Sequence, residues 1–315
     1  VNLADESDAS DGAVRIGIDL GGTGTRFVAL DGEAVAASAS FATPSEADAT
    51  AVVAFLVEQV RAVASDRPIA YIGIGASGPV DAAGMIRNPD TLPAFTGVEL
   101  RRPLIEAFGV PVTIDNDAVA AAVFEVRAGA ARGFASTLVV TLGTGVGVAA
   151  LRGVQPMRGA DGQHPEAGHL SVNGADAPCY CGRSACFEQL VSRAALQRSA
   201  AALIAQSPAI PADGAAVIDQ AAELARAGHP GALALFERFG TLLAAGVADL
   251  VTVFRPDCVV IGGSAARFSS EYSEAFQRRL SQLEVYRAHP GVRFSAAGDF
   301  GGAIGAALQE PRAQA

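Results

Sequence analysis

The chain has 315 residues, half of them hydrophobic and 18% charged, which excludes wholesale disorder and leaves room for one or two domains with a sizeable core. Acidic residues outnumber basic ones by 33 to 23, and the resulting net charge of -10, with no basic patch to oppose it, argues against nucleic acid as a partner. Every basic residue is Arg, so a Walker A lysine, a Schiff-base lysine and a pyridoxal phosphate anchor are all excluded.

Residues 1–13 are polar and read as a disordered tail that lacks the cationic start of a signal peptide. The fold starts at Val14. A β-rich run over 14–20 ends in Asp19-Leu20-Gly21-Gly22-Thr23-Gly24-Thr25, and strand character resumes over 26–30, so two strands flank a Gly-rich hairpin turn. Apolar residues at Val52, Phe55, Leu56, Val60 and Val63 line one face of a helix over 47–64, and a strand follows over 69–74. A buried strand over 111–114 runs into Asp115-Asn116-Asp117 and then an Ala-rich helix over 118–128, which puts the carboxylates at a strand-to-helix junction.

The strand, Gly-turn, strand pattern returns over 137–151, with Leu142-Gly143-Thr144-Gly145-Val146-Gly147 at its turn. Helices are expected over 196–205 and 215–227, and one or two over 230–254. A strand over 257–261 closes on Gly262-Gly263-Ser264, a short strand covers 294–296, and an Ala-rich helix ends the chain. The alternation is α/β, and the echo of the first turn in the second predicts duplicated βββαβα units facing each other across a cleft. The apolar stretches over 137–151 and 241–254 are broken by Gly and Asp and fall short of the ~20 residues that span a bilayer, so a soluble, cytoplasmic protein with no membrane partner is expected.

Two Gly-rich turns bring backbone N–H groups close to an anion because no Cβ blocks the approach; one alone is equally a tight hairpin, and the second copy tips the reading towards phosphate. Asp19, beside the first turn, is placed to hold Mg2+ or to cap the strand end. Gly73-Ile74-Gly75-Ala76-Ser77-Gly78 matches a dinucleotide fingerprint in spelling only, since Pro79 follows and no helix opens there. Gly262-Gly263-Ser264 resembles a nucleophile elbow, but a triad would need His289 with Glu271, Glu274 or Glu284, and nothing around His289 supports one. A glycine pair against which a nucleobase or ribose lies flat fits at least as well. Asp117 is either a general base projecting from the strand end or one of three helix-capping residues. His169, Cys179, Cys181 and Cys186 make up one imidazole and three thiolates, a closed tetrahedral and therefore structural zinc set, while Cys258 reads as core. Glu166 and Glu188 flank that set, placed either to recognise hydroxyls or to be solvated.

Together these residues resemble the ROK family of sugar kinases and sugar-responsive repressors over 16–307. Residues 16–25 look like its first phosphate motif, 142–147 like its second and 259–266 like its adenosine segment. Asn116-Asp117 is similar to its catalytic pair, Glu166-Ala167-Gly168-His169 to E-x-G-H, and 179–188 to C-x-C-G-x-x-G-C-x-E; the last two are the specific part. The resemblance implies a two-lobed actin-like ATPase (ribonuclease H-like) fold, with an N-terminal lobe over 14–117, a C-terminal lobe over 118–300 carrying a zinc segment over 164–188, and a C-terminal helix over about 301–315 able to pack back on the first lobe.

It implies that ATP and Mg2+ meet Asp19, Gly21, Gly22, Thr23, Gly24, Thr25, Gly143, Thr144, Gly145, Gly262 and Gly263. A hexose meets Gly78, Asn116, Asp117, Glu166, His169 and Glu188, Asp117 is the base, and Zn2+ sits on His169, Cys179, Cys181 and Cys186. The expected activity is transfer of the γ-phosphate to a sugar hydroxyl, at C6 by expectation, in a homodimer or homotetramer. A sugar-sensing regulator is the other reading, although only about a dozen residues precede the first motif, where the family's DNA-binding members carry a helix-turn-helix. The chain departs from the family in three places. Gly24 stands where Lys is usual, Ala185 where Gly precedes the last cysteine, and Ser77-Gly78-Pro79 where Pro-Gly-Pro is common.

Overall fold

The computed structural model describes residues 12–172, 177–206, 217–283 and 290–310. The readings placed on the tail over 1–11, on Glu284 and His289, and on the last five residues lie outside them. The described chain divides into two compact units, one over Val1–Arg132, Arg158–His164 and Ala297–Ala315, the other over Gly133–Met157 and Pro165–Ala296.

In the first unit, β1 (Val14–Leu20), β2 (Gly24–Asp31) and β3 (Ala34–Ala42) form an antiparallel meander, and β4 (Ile69–Ala76) and β5 (Val112–Asn116) add in parallel on the other side of β1, giving the order β3-β2-β1-β4-β5. The parallel additions need crossovers, which α1 (Ala49–Ala64) and α2 (Arg101–Phe108) supply. On one face of β1, Val14, Ile16, Ile18 and Leu20 pack with Val52, Leu56 and Val60 of α1. Burial of those three α1 side chains stabilises by roughly 1.5–3 kcal/mol each, more than the ~1 kcal/mol of the Asp48 cap on Ala51 N–H, so packing rather than capping holds the helix.

The other face of β1 carries Gly17, and a Cβ there would fall 1.8 Å from the Ala303 carbonyl oxygen. Only glycine lets α9 (Gly301–Ala307) lie this close to the strand, and Arg15 ties the end of that helix by donating from Nε to the Ala307 carbonyl at 2.6 Å. The remaining helix, α3 (Asp117–Arg127), starts directly from the end of β5.

The second unit repeats the plan. In it, β6 (Ser136–Leu142), β7 (Val146–Arg152) and β8 (Gln155–Pro156) form the antiparallel half, and β9 (Cys258–Gly262) and β10 (Gly291–Phe294) the parallel half, in the order β10-β9-β6-β7-β8. The long connection from β8 to β9 holds α4 (Phe187–Val191), α5 (Arg193–Ala205), α6 (Val217–Arg226) and α7 (Pro230–Phe254), and α8 (Ser269–Gln282) links β9 to β10. The segment over 230–254 is one helix. It is long and apolar enough to cross a membrane by length and composition, yet Phe236, Phe239, Leu243 and Val247 are buried in the core of its unit.

Two local expectations shift. The last strand ends at Phe294 instead of starting there, because Gly291 to Phe294 pair in register with Cys258 to Ile261. The edge strand β3, AVAASASFA, carries too few large apolar residues to announce itself.

Candidate active site

In the first unit the β1–β2 turn closes through Gly21 N–H to the Gly24 carbonyl at 3.2 Å. Gly21, Gly22 and Thr23 form that turn, with Thr23 exposed, and Gly24 opens β2. The Thr25 side chain is buried, its hydroxyl bonded to that of Thr43 at 2.9 Å, and Thr43 in turn donates to the Gly21 carbonyl at 2.6 Å; this threonine braces the turn from behind. Asp19, half-buried at the end of β1, is pushed up to about 7, first by burial and then by the charge of Asp117, against the pull of Arg26. Arg26 stands opposite Asp19 in the strand register, with its guanidinium 3.6 Å from the carboxylate.

Asn116 and Asp117 both meet the first turn of α3. Asn116 caps α3, its Oδ1 accepting from Ala118 N–H at 2.8 Å, and one proton of its Nδ2 goes to the Gly78 carbonyl at 2.9 Å. Asp117 Oδ1 also accepts from Ala118 N–H, and its Oδ2 accepts from the Ser77 hydroxyl at 2.8 Å. Burial raises the Asp117 pKa, while the Ser77 hydroxyl and the Ala118 N–H pull it back. Behind the pair, the buried Asp115 accepts from Asn116 N–H at 2.8 Å and receives both terminal nitrogens of Arg158. His164, buried near that ion pair, has its pKa lowered by burial.

In the second unit the β6–β7 turn is built like the first, Gly143 N–H donating to the Gly145 carbonyl at 3.0 Å with Thr144 exposed. Glu188, on α4, accepts from Val146 N–H at 3.1 Å at the foot of this turn. Gly168 is required by contact, because a Cβ there would come within 2.3 Å of the Val146 carbonyl oxygen; the glycine of Glu166-Ala167-Gly168-His169 thus sets this short 3-10 turn against β7. Glu166 is exposed and half of His169 is covered. Gly262 ends β9 and Gly263 follows at φ +79°, opening a 3-10 turn over Ser264–Phe268.

The ligand atoms of His169, Cys179, Cys181 and Cys186 lie within 4.8 Å of one another, and no two of these cysteines are bridged. His169 Nδ1 faces Cys179 Sγ at 3.5 Å, and the Cys181 and Cys186 sulfurs are 3.6 Å apart. The Arg183 N–H pulls the exposed Cys181 thiol down, whereas burial pushes Cys186 up to about 12. A soft dication among them would turn all three into thiolates, and the donor set, its closeness and its reduced state suit zinc. Cys258 is a buried strand residue.

The other motifs resolve as packing. Gly73 and Gly75 lie inside β4, and the chain after Gly78 makes a bridge from Val80 to Ile86 with no helix before Arg101. Glu271 and Glu274 pair with Arg226 and Arg278. The sequence reading missed three residues of the first unit: Ser77, Arg158 and Arg26. Ser77 had stood out only as a departure from Pro-Gly-Pro, and Arg26 had left a signal, since residues two apart on a strand share a face, and its charge stands on the side where Gly24 has none.

A sheet of this order occurring twice in one chain, each copy with a glycine turn between its first two strands, defines the actin-like ATPase fold, a phosphotransferase frame. The ROK family pattern matches residues 15–311. The glucokinase of Thermotoga maritima is 31% identical over 266 residues, covering 80% of this chain and 82% of that protein. The solved structure of the ROK hexokinase from Thermus thermophilus superposes with a TM-score of 0.77 at 33% identity, over 94% of this chain and 97% of that one. A ROK family glucokinase from Streptomyces griseus, solved in complex with glucose and AMPPNP, gives 0.78 at 29%, over 94% and 98%. The chain belongs to the ROK family and is a sugar kinase.

Proposed function

We propose that the chain is an ATP- and Mg2+-dependent hexose kinase that transfers the γ-phosphate to the C6 hydroxyl of its sugar, with Asp117 as general base and a structural Zn2+ on His169, Cys179, Cys181 and Cys186. The observation that carries this reading is the setting of Asp117, a half-buried carboxylate at the start of α3 that shares the Ala118 N–H with Asn116 and has its other oxygen aimed by the Ser77 hydroxyl. The glucose and AMPPNP bound by the Streptomyces griseus glucokinase support both substrates.

Asp117 takes the hydroxyl proton as the oxygen attacks, and Ser77 holds the carboxylate in one rotamer for that transfer. Asn116 offers its second amide proton to the sugar, and Gly78 fixes that amide through its carbonyl. Glu166, His169 and Glu188 bind further sugar hydroxyls. The two glycine turns, with Gly262 and Gly263, bind the nucleotide, and Asp19 holds Mg2+, whose chemistry is to neutralise charge on the phosphate oxygens. Arg26 supplies the fixed positive charge that Gly24 does not. Zinc does no chemistry on the substrate; it locks His169 and the Glu188 segment into one geometry. Reduced thiols fit a cytoplasmic setting, and by resemblance the working form is a homodimer or homotetramer.

Asp117→Ala is expected to lower kcat by about 10²–10⁴-fold while calorimetry still detects sugar binding. Unchanged turnover would remove Asp117 from its role. A coupled assay across hexoses and phosphoryl donors, polyphosphate included, identifies both substrates, and a panel with sugar binding but no transfer would leave a non-catalytic sensor.

A further inference from the structure

Between the first two cysteines of the metal cluster stands Tyr180, a residue that neither the transfer step nor the metal uses. Its backbone is fixed by the tight Cys179–Arg183 turn, in which Cys179 N–H donates to the Arg183 carbonyl at 2.9 Å and Gly182 N–H to the Cys179 carbonyl at 3.0 Å. Its side chain folds back over His169, ring edge against ring face, with centroids 5.1 Å apart and planes at 86°. The phenol oxygen lies 3.1 Å from His169 Nε2.

The two nitrogens of that imidazole face different partners. Nδ1 points to Cys179 Sγ and the ligand cluster, whereas Nε2 points away from it to the phenol. When Nδ1 gives its lone pair to a metal, the ring proton resides on Nε2, so Nε2–H donates to the phenol oxygen. The phenol oxygen, 3.1 Å away, is the acceptor that the ring proton meets. A hydroxyl that accepts from the imidazole does there what a sugar hydroxyl would do.

Resting on the sugar-site reading above, we infer that Tyr180 is an internal stand-in for a sugar hydroxyl: its phenol occupies the polar position at His169 Nε2 and is displaced when the hexose binds. The side chain can leave without disturbing the metal loop, because Tyr180 is 76% exposed and rotation about its Cα–Cβ bond moves neither cysteine. The consequence is selectivity. A ligand with a single hydroxyl only replaces what the phenol already makes, whereas a hexose that presents several hydroxyls to Glu166, His169 and Glu188 gains beyond the exchange. Tyr180 raises the dissociation constant for every sugar and penalises small alcohols most.

The test is calorimetric titration of glucose into the full, metal-loaded chain and into Tyr180→Phe, with zinc content measured on both. Removing one competing hydrogen-bonded hydroxyl should lower the Kd for glucose by about threefold to tenfold at equal zinc content. A second readout is ¹⁹F NMR of the fluorotyrosine-labelled protein, in which the resonance absent from Tyr180→Phe should shift on addition of glucose. Weaker or unchanged glucose binding by the variant, or an unmoved Tyr180 resonance at saturating glucose, overturns the inference while the sugar site stands. A wild-type chain that binds none of glucose, fructose, mannose or N-acetylglucosamine overturns the sugar site itself, and the role of Tyr180 with it.

Discussion

The two sheets share one strand order and one kind of glycine turn, yet their chemistry differs in kind. In the first unit the turn is bordered by charge, with Asp19 at its root and Arg26 across the strand pair, and a single helix leads from β3 to β4. In the second unit the corresponding turn carries no charged residue of its own, and Glu188 holds its Val146 N–H. There the connection from β8 to β9 has grown to include four helices and the cysteine segment. The sheet is the same scaffold in both; the first copy holds Asp19 and Asp117 at its strand ends, and the second holds Glu166, His169 and Glu188 on an insertion, which by the function proposed above divides proton transfer from sugar recognition. An insertion with few strand hydrogen bonds needs another source of rigidity, and the ligand cluster provides it.

That contrast predicts where metal removal acts, and the effect should be large. Stripping zinc with a chelator, or replacing Cys186 by Ser, is expected to reduce glucose affinity by more than about 100-fold, since outer-shell changes alone cost 10–100-fold at comparable metal sites. Hydrogen exchange should show lost protection over 178–191 with β1, β4 and β5 unchanged, because the first sheet rests on its own apolar core. Equal loss of protection in both units would refute the division of labour.

What was readable in the sequence follows the same line. The glycine turns, Glu166 to His169 and the cysteine segment are each local, so their spacing announces them. Ser77 is 40 residues from Asp117, and Arg158 43 from Asp115; such pairs exist only once parallel pairing sets the ends of β4 and β5 side by side and the segment over 158–164 joins the first unit. Spacing carries no trace of them. The capping ambiguity at Asn116 and Asp117 had a similar cause, as both residue types suit a helix start, and only the hydrogen bonds show that the two share Ala118 N–H while Asp117 alone also receives the Ser77 hydroxyl.

The first unit can be probed through Ser77 with a smaller effect. Burial raises the pKa of Asp117 and the Ser77 hydroxyl opposes that rise, so Ser77→Ala removes the opposing contribution. A base must be unprotonated to act, and activity therefore falls as pH drops through its pKa. The acid limb of kcat/KM against pH should move upward by about one unit in the variant, the size of one hydrogen bond to a charged group. The same substitution should leave zinc content and Tyr180 untouched. An acid limb that stays in place would show that another group governs it.

The smallest effect sharpens the comparison at a single backbone angle. Ala185 precedes the last cysteine with φ +58°, in the left-handed region, where an L side chain costs roughly 1–2 kcal/mol. It cannot relax away. Ala185 N–H donates to the Ala177 carbonyl at 2.8 Å, and its own carbonyl accepts from Val172 N–H at 2.9 Å, so both sides of the residue are pinned while Cys186 is directed into the ligand cluster. Glycine would remove the steric cost but lose more chain entropy on folding, by about 0.4–1 kcal/mol, which leaves an expected net gain of about 0.5–1 kcal/mol for Ala185→Gly. Thermal unfolding should rise by about 1–3 °C. The gain belongs to the insertion, so it should persist in Asp117→Ala and shrink once zinc is removed, when the segment no longer has to hold that angle. A gain that survives chelation in full would mean that packing of the second unit alone, and not the metal loop, imposes the left-handed turn at Ala185.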